Sequence, residues 1–333
     1  MPTFTAPRTD HSYVDAHGVT IHYYVWESPK AHAVLQLTHG LGDHARRYEH
    51  VAQALIAAGY TVYADDHRGH GATGLDQNAG DASKLGKLGK GGLRAATENI
   101  RELSAIIRRD HPTLPLALLG HSWGSLMVQD VLNAHSDEYE VAILTGTAHR
   151  TFAHMNSGNL NAKHKNLGTT GYEWLSRDPQ VAEDFVNDPL TFYADALKLF
   201  GPVDGMRLMG RPAKHFARDI PLLIMIGDED SLGGEASIEA LASDYVVRSK
   251  LTDIEAIVYP GARHEIFNET NKDEVIADLV AWLDARLKPV HPDAPLPPAA
   301  QNEATQPGSA KSDAAPSDAA PSKPAPSKPA PSK

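Results

Sequence analysis

The sequence predicts an α/β protein with a doubly wound, mostly parallel sheet, an inserted cap and a separate C-terminal tail. Three observations carry this. Short apolar runs alternate with helical periodicity over the first 288 residues. One of those runs leads directly into Gly120-His121-Ser122-Trp123-Gly124, with helical residues behind it. Finally, one stretch of about seventy residues interrupts the alternation, which is longer than a plain connection needs.

Residues 13–15 and 19–26 flank His17-Gly18 and predict a hairpin. Apolar runs bounded by turn residues follow at 33–37, 60–64, 116–119, 141–144, 222–226 and 255–259. Their length and β-branched content suit strands buried on both faces of a parallel sheet. Helical spacing fills the gaps at 48–58, 93–109, 125–133, 238–249 and 272–287. Strands alternating with helices give the doubly wound class. From 149 to 220 no clean strand appears, and short helical pieces such as 192–200 are separated by Gly and Pro. This divides the chain into a core (1–148 and 221–288) and an inserted cap or lid (149–220) over the sheet's carboxyl edge, where ligands bind in such folds.

The character of the chain changes at Lys288. Residues 289–333 hold 12 of the 23 prolines and no Phe, Tyr or Trp, and a five-residue Ser/Ala/Pro/Lys/Asp unit repeats from Ser312. Such a segment buries too little apolar surface to offset its ordering entropy and is predicted to be disordered. Its charges cancel, so the folded part carries the whole formal charge of −11 from 31 Lys+Arg and 42 Asp+Glu. That balance argues against nucleic-acid partners and against electrostatic binding to anionic membranes. With no cysteine there is no thiol nucleophile and no Cys-ligated metal. No run of ~18 apolar residues and no apolar stretch near the start are found, so the expectation is a cytoplasmic protein.

Gly120-His121-Ser122-Trp123-Gly124 is G-x-S-x-G between an apolar strand and a helix, the context in which the motif has mechanical meaning. So sharp a turn strains Ser122 and projects its Oγ, while the flanking glycines avoid clashes with neighbouring backbone. Serine is a weak nucleophile at its own pKa and needs a base. Chain order in this fold places the acid and then the histidine after the serine. Beyond the last strand lies Pro260-Gly261-Ala262-Arg263-His264, and the only later histidine is His291, in the tail. His264 is therefore the candidate base. Three acids compete after the 222–226 strand, in Gly227-Asp228-Glu229-Asp230. Spacing favours Asp230, which clears the strand, leaving Asp228 or Glu229 to cap the loop or face solvent. The oxyanion hole needs two backbone donors. These are assigned to Trp123, next after the serine, and Leu41, in the loop His39-Gly40-Leu41-Gly42-Asp43-His44.

With these residues identified, the chain resembles the monoacylglycerol lipase and lysophospholipase group of α/β-hydrolases over roughly residues 12–288. The likeness rests on His39–His44 followed by Arg47-Tyr48, Gly59-Tyr60, Asp65 and Arg68-Gly69-His70-Gly71, with G-x-x-D at 227–230 and G-x-x-H at 261–264. Glu173-Trp174-Leu175-Ser176-Arg177-Asp178 and Asn187-Asp188-Pro189-Leu190 in the cap are similar to bacterial members. Asp43 stands where Glu is usual, Ser122-Trp123-Gly124-Ser125 replaces the commoner S-M-G-G, and one extra residue separates Asp65 from Arg68. The resemblance implies an α/β-hydrolase fold and hydrolysis of small acyl esters through an acyl-enzyme, without cofactor or metal. It reads Asp65-Asp66-His67 and His70 as a bracing turn rather than a metal site. In the cap, Leu197, Phe200, Met206 and Met209 belong either to packing or to the lining of an acyl channel, and the cap is where transient contact with a lipid surface would occur. The Ser-Trp-Gly-Ser elbow is also similar to proline iminopeptidases, which keeps a peptidase or amidase reading open, although their G-G-P-type loop is absent. A non-enzymatic, hydrolase-shaped binding protein would need a degraded triad, and here every position is filled.

Overall fold

The computed structural model describes residues 7–288. The tail, predicted to be disordered, lies outside the described residues, as does His291. In chain order the elements are β1 (Arg8–Val14), β2 (Thr20–Trp26), β3 (Ala33–Thr38), α1 (Glu49–Ala57), β4 (Tyr60–Asp65), α2 (Gly71–Gln77), α3 (Gly92–Asp110) and β5 (Leu116–His121). There follow α4 (Trp123–His135), β6 (Val141–Thr145), α5 (Pro179–Asn187), α6 (Ala196–Arg207), β7 (Leu222–Gly227), α7 (Glu235–Ser243), β8 (Ile254–Tyr259) and α8 (Lys272–Leu287). The strands form one eight-stranded sheet in the order β1-β2-β4-β3-β5-β6-β7-β8. β1 and β2 pair antiparallel with each other, β2 pairs antiparallel with β4, and every pairing from β4 to β8 is parallel.

The period of two in each strand builds two cores. Val34, Leu116, Leu118, Ala142, Leu144, Leu222 and Ile224 face one side with α3, α4 and α7. Leu35, Leu37, Ala117, Leu119, Ile143, Leu223 and Met225 face the other with α1 and α8. Alternate side chains point to opposite faces, so a strand covered on both reads as a continuous apolar run. The α3 stripe Leu93, Ala96, Ile100, Leu103, Ile107 has the three-four spacing of a helix laid on one face.

Four elements differ from the sequence reading. β1 begins at Arg8, five residues before the expected strand, because most of it is solvent-exposed edge with no apolar signal. α2 was not expected at all: it opens on Gly71 and holds Gly74, both poor helix formers, and its Ala72 N–H is capped by Asp66 Oδ2 (2.7 Å). In the insertion, residue 192 is not helical, because its N–H donates to Gly42 O (3.1 Å); α6 starts at Ala196, with Asp195 accepting from Lys198 N–H. The helix is interrupted by Gly201 (φ 72°) and Pro202. The expected helix at 238–249 is α7 continued by one π-helical turn, Asp244–Arg248. Between β6 and β7 the described residues contain no strand. No helix among the described residues is long and apolar enough to cross a membrane.

Candidate active site

The loops at the carboxyl ends of β3, β5, β7 and β8 bring the sequence candidates together. At the β5–α4 turn Ser122 has φ 53° and ψ −125°, a conformation that costs a non-glycine residue about 1–3 kcal/mol. The surroundings over-determine it. Ser122 N–H donates to Thr145 O (2.9 Å), and its carbonyl accepts from Leu126 N–H (3.1 Å) and Ser125 Oγ (2.6 Å). A Cβ on Gly124 would lie 2.4 Å from Thr38 O, and one on Gly120 2.7 Å from Ser125 Cα, so only glycine fits on either side. Trp123 is the first residue of α4, and its N–H belongs to the unsatisfied, electropositive end of that helix.

The β3 loop approaches the elbow closely: a Cβ on Gly40 would lie 3.1 Å from Ser122 Cβ. His39 Nδ1 donates to Gly40 O (2.8 Å) and its Nε2 accepts from His67 N–H (3.0 Å). This fixes a neutral ring, and burial holds its pKa well below the usual histidine range. Leu41, beside Gly40, is partly buried against the apolar cluster that contains Trp123. Asp43 accepts from His44 N–H (2.7 Å), Arg47 (3.0 Å) and Tyr48 Oη (2.9 Å).

His264 Nδ1 lies 2.9 Å from Asp230 Oδ1, which also accepts from Leu232 N–H (2.8 Å). Both side chains are buried. A carboxylate only accepts, so Nδ1 carries a proton, and in the neutral ring Nε2 is the lone-pair nitrogen. That Nε2 is buried and makes no hydrogen bond, so the bond from Ser122 Oγ to His264 is not formed in this structure. The His264 ring lies 4.9 Å from the ring of His121, the residue preceding the serine. The two loops carrying the pair touch so closely that a Cβ on Gly227 would sit 2.0 Å from Ala262 O. The neighbouring acids have other tasks: Asp228 accepts from Gly261 N–H (2.7 Å) at the surface, and Glu229 pairs with Lys163.

Sequence reasoning missed the network that joins the loops. Arg47 forms two parallel hydrogen bonds to Glu265 (2.7 and 2.8 Å) while also holding Asp43. Burial pushes both carboxyls up, but Arg47, joined at Asp43 by His44, outweighs it and both lie below their ordinary values. Arg47 was visible as a motif residue beside the β3 loop; its pairing with Glu265 across 218 positions was not. From the insertion, Asp188 meets His44 Nε2 (2.9 Å), Phe200 lies on Trp123 (5.4 Å between ring centroids) and Trp174 on His264 (4.6 Å). Trp123 also stacks on His70 (5.2 Å), whose pKa burial lowers to about 3. Phe200 and Met209 pack against the core, whereas Leu197 and Met206 are 56% and 54% exposed. Asp65 accepts from His67 Nδ1 (2.9 Å), and Asp66 binds Tyr24 Oη, Ala45 N–H and Ala72 N–H. No group of three or more His, Asp or Glu among the described residues could hold a metal ion.

An eight-stranded, mostly parallel sheet with a strained serine at the β5–α4 turn defines the α/β-hydrolase class. Within that class the chain belongs to the serine aminopeptidase S33 family, whose model matches residues 29–271. It is similar to the monoacylglycerol lipase of Mycolicibacterium smegmatis, with 33% identity over 302 residues, covering 85% of this chain and 99% of that protein. It is 24% identical to the monoglyceride lipase of Homo sapiens over 290 residues, covering 82% of this chain and 89% of that one. Among solved structures, a thermostable carboxyl esterase from Bacillus coagulans superimposes with a TM-score of 0.68 at 25% identity, covering 85% of this chain and all of the other.

Proposed function

We propose that the chain is a carboxylic ester hydrolase of the monoacylglycerol lipase kind, working through Ser122, His264 and Asp230. The observation that carries this is the pairing of a strained serine elbow with a buried His264–Asp230 couple whose Nε2 is unoccupied. As Ser122 Oγ bonds to the ester carbonyl carbon, its proton passes to His264 Nε2 and the carbonyl electron pair moves onto oxygen. Trp123 and Leu41 N–H groups stabilise that oxyanion. His264 then gives its proton to the departing alcohol, and water repeats the sequence on the acyl-enzyme to release the fatty acid. Asp230 fixes the imidazole tautomer and does not itself take the proton. The serine–histidine bond forms when substrate binds, since catalytic hydrogen bonds are often long or unmade before then.

The family's description favours a second reading, an aminopeptidase. Such an enzyme must hold the substrate's ammonium group with a carboxylate near the serine. The buried carboxylates of the loops around the elbow already have partners: Asp43 binds Arg47 and Tyr48, Glu265 binds Arg47 and Asn268, Asp65 binds His67, Asp66 binds Tyr24 and two backbone N–H groups, and Asp230 binds His264. That supports the ester reading. In it, Phe200 and Met209 line the acyl channel, with Leu197 and Met206 at its outer rim. The exposed Tyr193, Leu197, Val203 and Met206 make transient contact with a lipid surface. The formal charge of −11 gives an anionic interface no advantage.

The test is a side-by-side panel of monoacylglycerols of increasing chain length, short aryl esters and aminoacyl or prolyl amides. Each buried methylene contributes ~0.8 kcal/mol, so kcat/KM should rise about three- to fourfold per methylene before levelling off. A flat profile from acetyl to lauroyl together with rapid amide cleavage would move the protein to the aminopeptidase reading.

A further inference from the structure

Trp174 belongs to the segment between β6 and β7, yet its ring lies on the histidine loop. The ring centroids of Trp174 and His264 are 4.6 Å apart, with planes tilted by 39°. Backbone and side-chain hydrogen bonds hold this contact from several directions. His264 N–H donates to Trp174 O (3.3 Å) and Glu265 N–H to Leu175 O (2.7 Å). Arg263 reaches the carbonyls of Glu173 and Ser176, each at 2.6 Å, and Trp174 N–H donates to Asn161 Oδ1 (3.0 Å).

We propose that the indole face of Trp174 steadies the positive charge His264 acquires on taking the proton of Ser122, making Trp174 a positioning residue for the reaction as well as a tether of the loop. The proposal rests on the serine-hydrolase reading above. A cation within about 6 Å of an indole centroid is attracted by the negative face of the ring, and Trp does this better than Phe or Tyr. The Asp230 carboxylate is the main stabiliser of that charge from the ring edge, and among the remaining groups around His264 Trp174 is the one placed to add to it. Asp230 contacts the ring edge at Nδ1. His121, with its ring centroid at 4.9 Å, has its pKa pushed down to about 4 by burial and by His264, so it stands there as a neutral ring. Glu265 is bound to Arg47, which also holds Asp43. Arg263 is turned onto the two carbonyls, while His164 meets Glu229 O.

The experiment is the pH dependence of fluorophosphonate labelling of the full chain for wild type, Trp174→Phe and Trp174→Leu, with melting curves as the check of folding. Removing the aromatic face disfavours the protonated base, so more acid is needed to switch labelling off and the acid limb moves to lower pH. A shift of about 0.5–1 pH unit is expected for Trp174→Leu and about 0.3 unit for Trp174→Phe, with the plateau rate of the Leu variant down about 3- to 10-fold. A role confined to holding the loop would lower the rate at every pH and leave the limb in place. An unmoved limb in a folded variant, or equal shifts in both, overturns the proposal. Should Trp174→Leu fail to fold, the Phe variant alone decides, by the presence or absence of its smaller shift. Wild-type protein that resists labelling altogether would instead overturn the serine-hydrolase reading, a separate outcome.

Discussion

Three acids follow β7, and their partners separate them. Asp228 is an exposed latch on Gly261, Glu229 a surface partner of Lys163, and Asp230 the buried acceptor beside His264. Asp230→Asn should therefore lower kcat by on the order of 10⁴, because the wrong histidine tautomer is then favoured. Asp228→Asn should cost less than about tenfold, as it only weakens a surface hydrogen bond. Ester turnover by the two purified variants checks this, and the reverse order would reassign the acid. At this scale much of the candidate site was legible. Ser122 stands out because only glycine fits beside it, His264 because no later histidine precedes the tail, and Asp230 because spacing clears it from the strand. The contacts of Trp174 and Glu265 were not legible, since nothing in local spacing encodes which distant side chain will face them.

The loops after β3 and β8 act as one unit through Asp43, Arg47 and Glu265. Breaking a buried ion pair from one side leaves uncompensated charge and costs about 3–5 kcal/mol. Arg47→Met should therefore lower the melting temperature markedly at pH 7. Both carboxyls are held below their ordinary values of 3.8 and 4.5 in the folded protein. Their stabilisation is complete above those values and is lost as pH falls through the lower folded ones. In the variant the two buried carboxyls, deprived of their cation, gain by protonation instead. The difference in melting temperature between wild type and Arg47→Met should thus narrow between pH 7 and pH 3. A difference that stays constant would mean the network carries no coupled charge. Elements were legible where burial wrote a pattern: β3 to β7 as apolar runs and α3 as a stripe. They were illegible where it did not, as in the exposed β1 and the glycine-bearing α2. The start of α6 was displaced because Phe192 serves the β3 loop instead.

At the scale of the molecule, two apolar layers hold the parallel strands in register, so that the loops carrying Leu41, Ser122, Asp230 and His264 open on the same edge. The insertion between β6 and β7 reaches that edge at many places, among them Gly42 through Phe192, His44 through Asp188, Trp123 through Phe200 and His264 through Trp174. The alternation of strand and helix made the sheet readable in advance. The seating of the insertion was not, because its short helices carry no strong periodicity and their contacts are long-range. All of this geometry serves one claim, that Ser122 is an activated nucleophile. The most direct measurement is covalent labelling of the intact chain by a fluorophosphonate probe, read by mass spectrometry alongside ester turnover, for wild type and Ser122→Ala. One adduct per wild-type chain is expected, located on Ser122, with none on the alanine variant and kcat lower by ~10⁵–10⁶. An adduct that persists in folded Ser122→Ala protein, or ester turnover that survives the substitution, would contradict it.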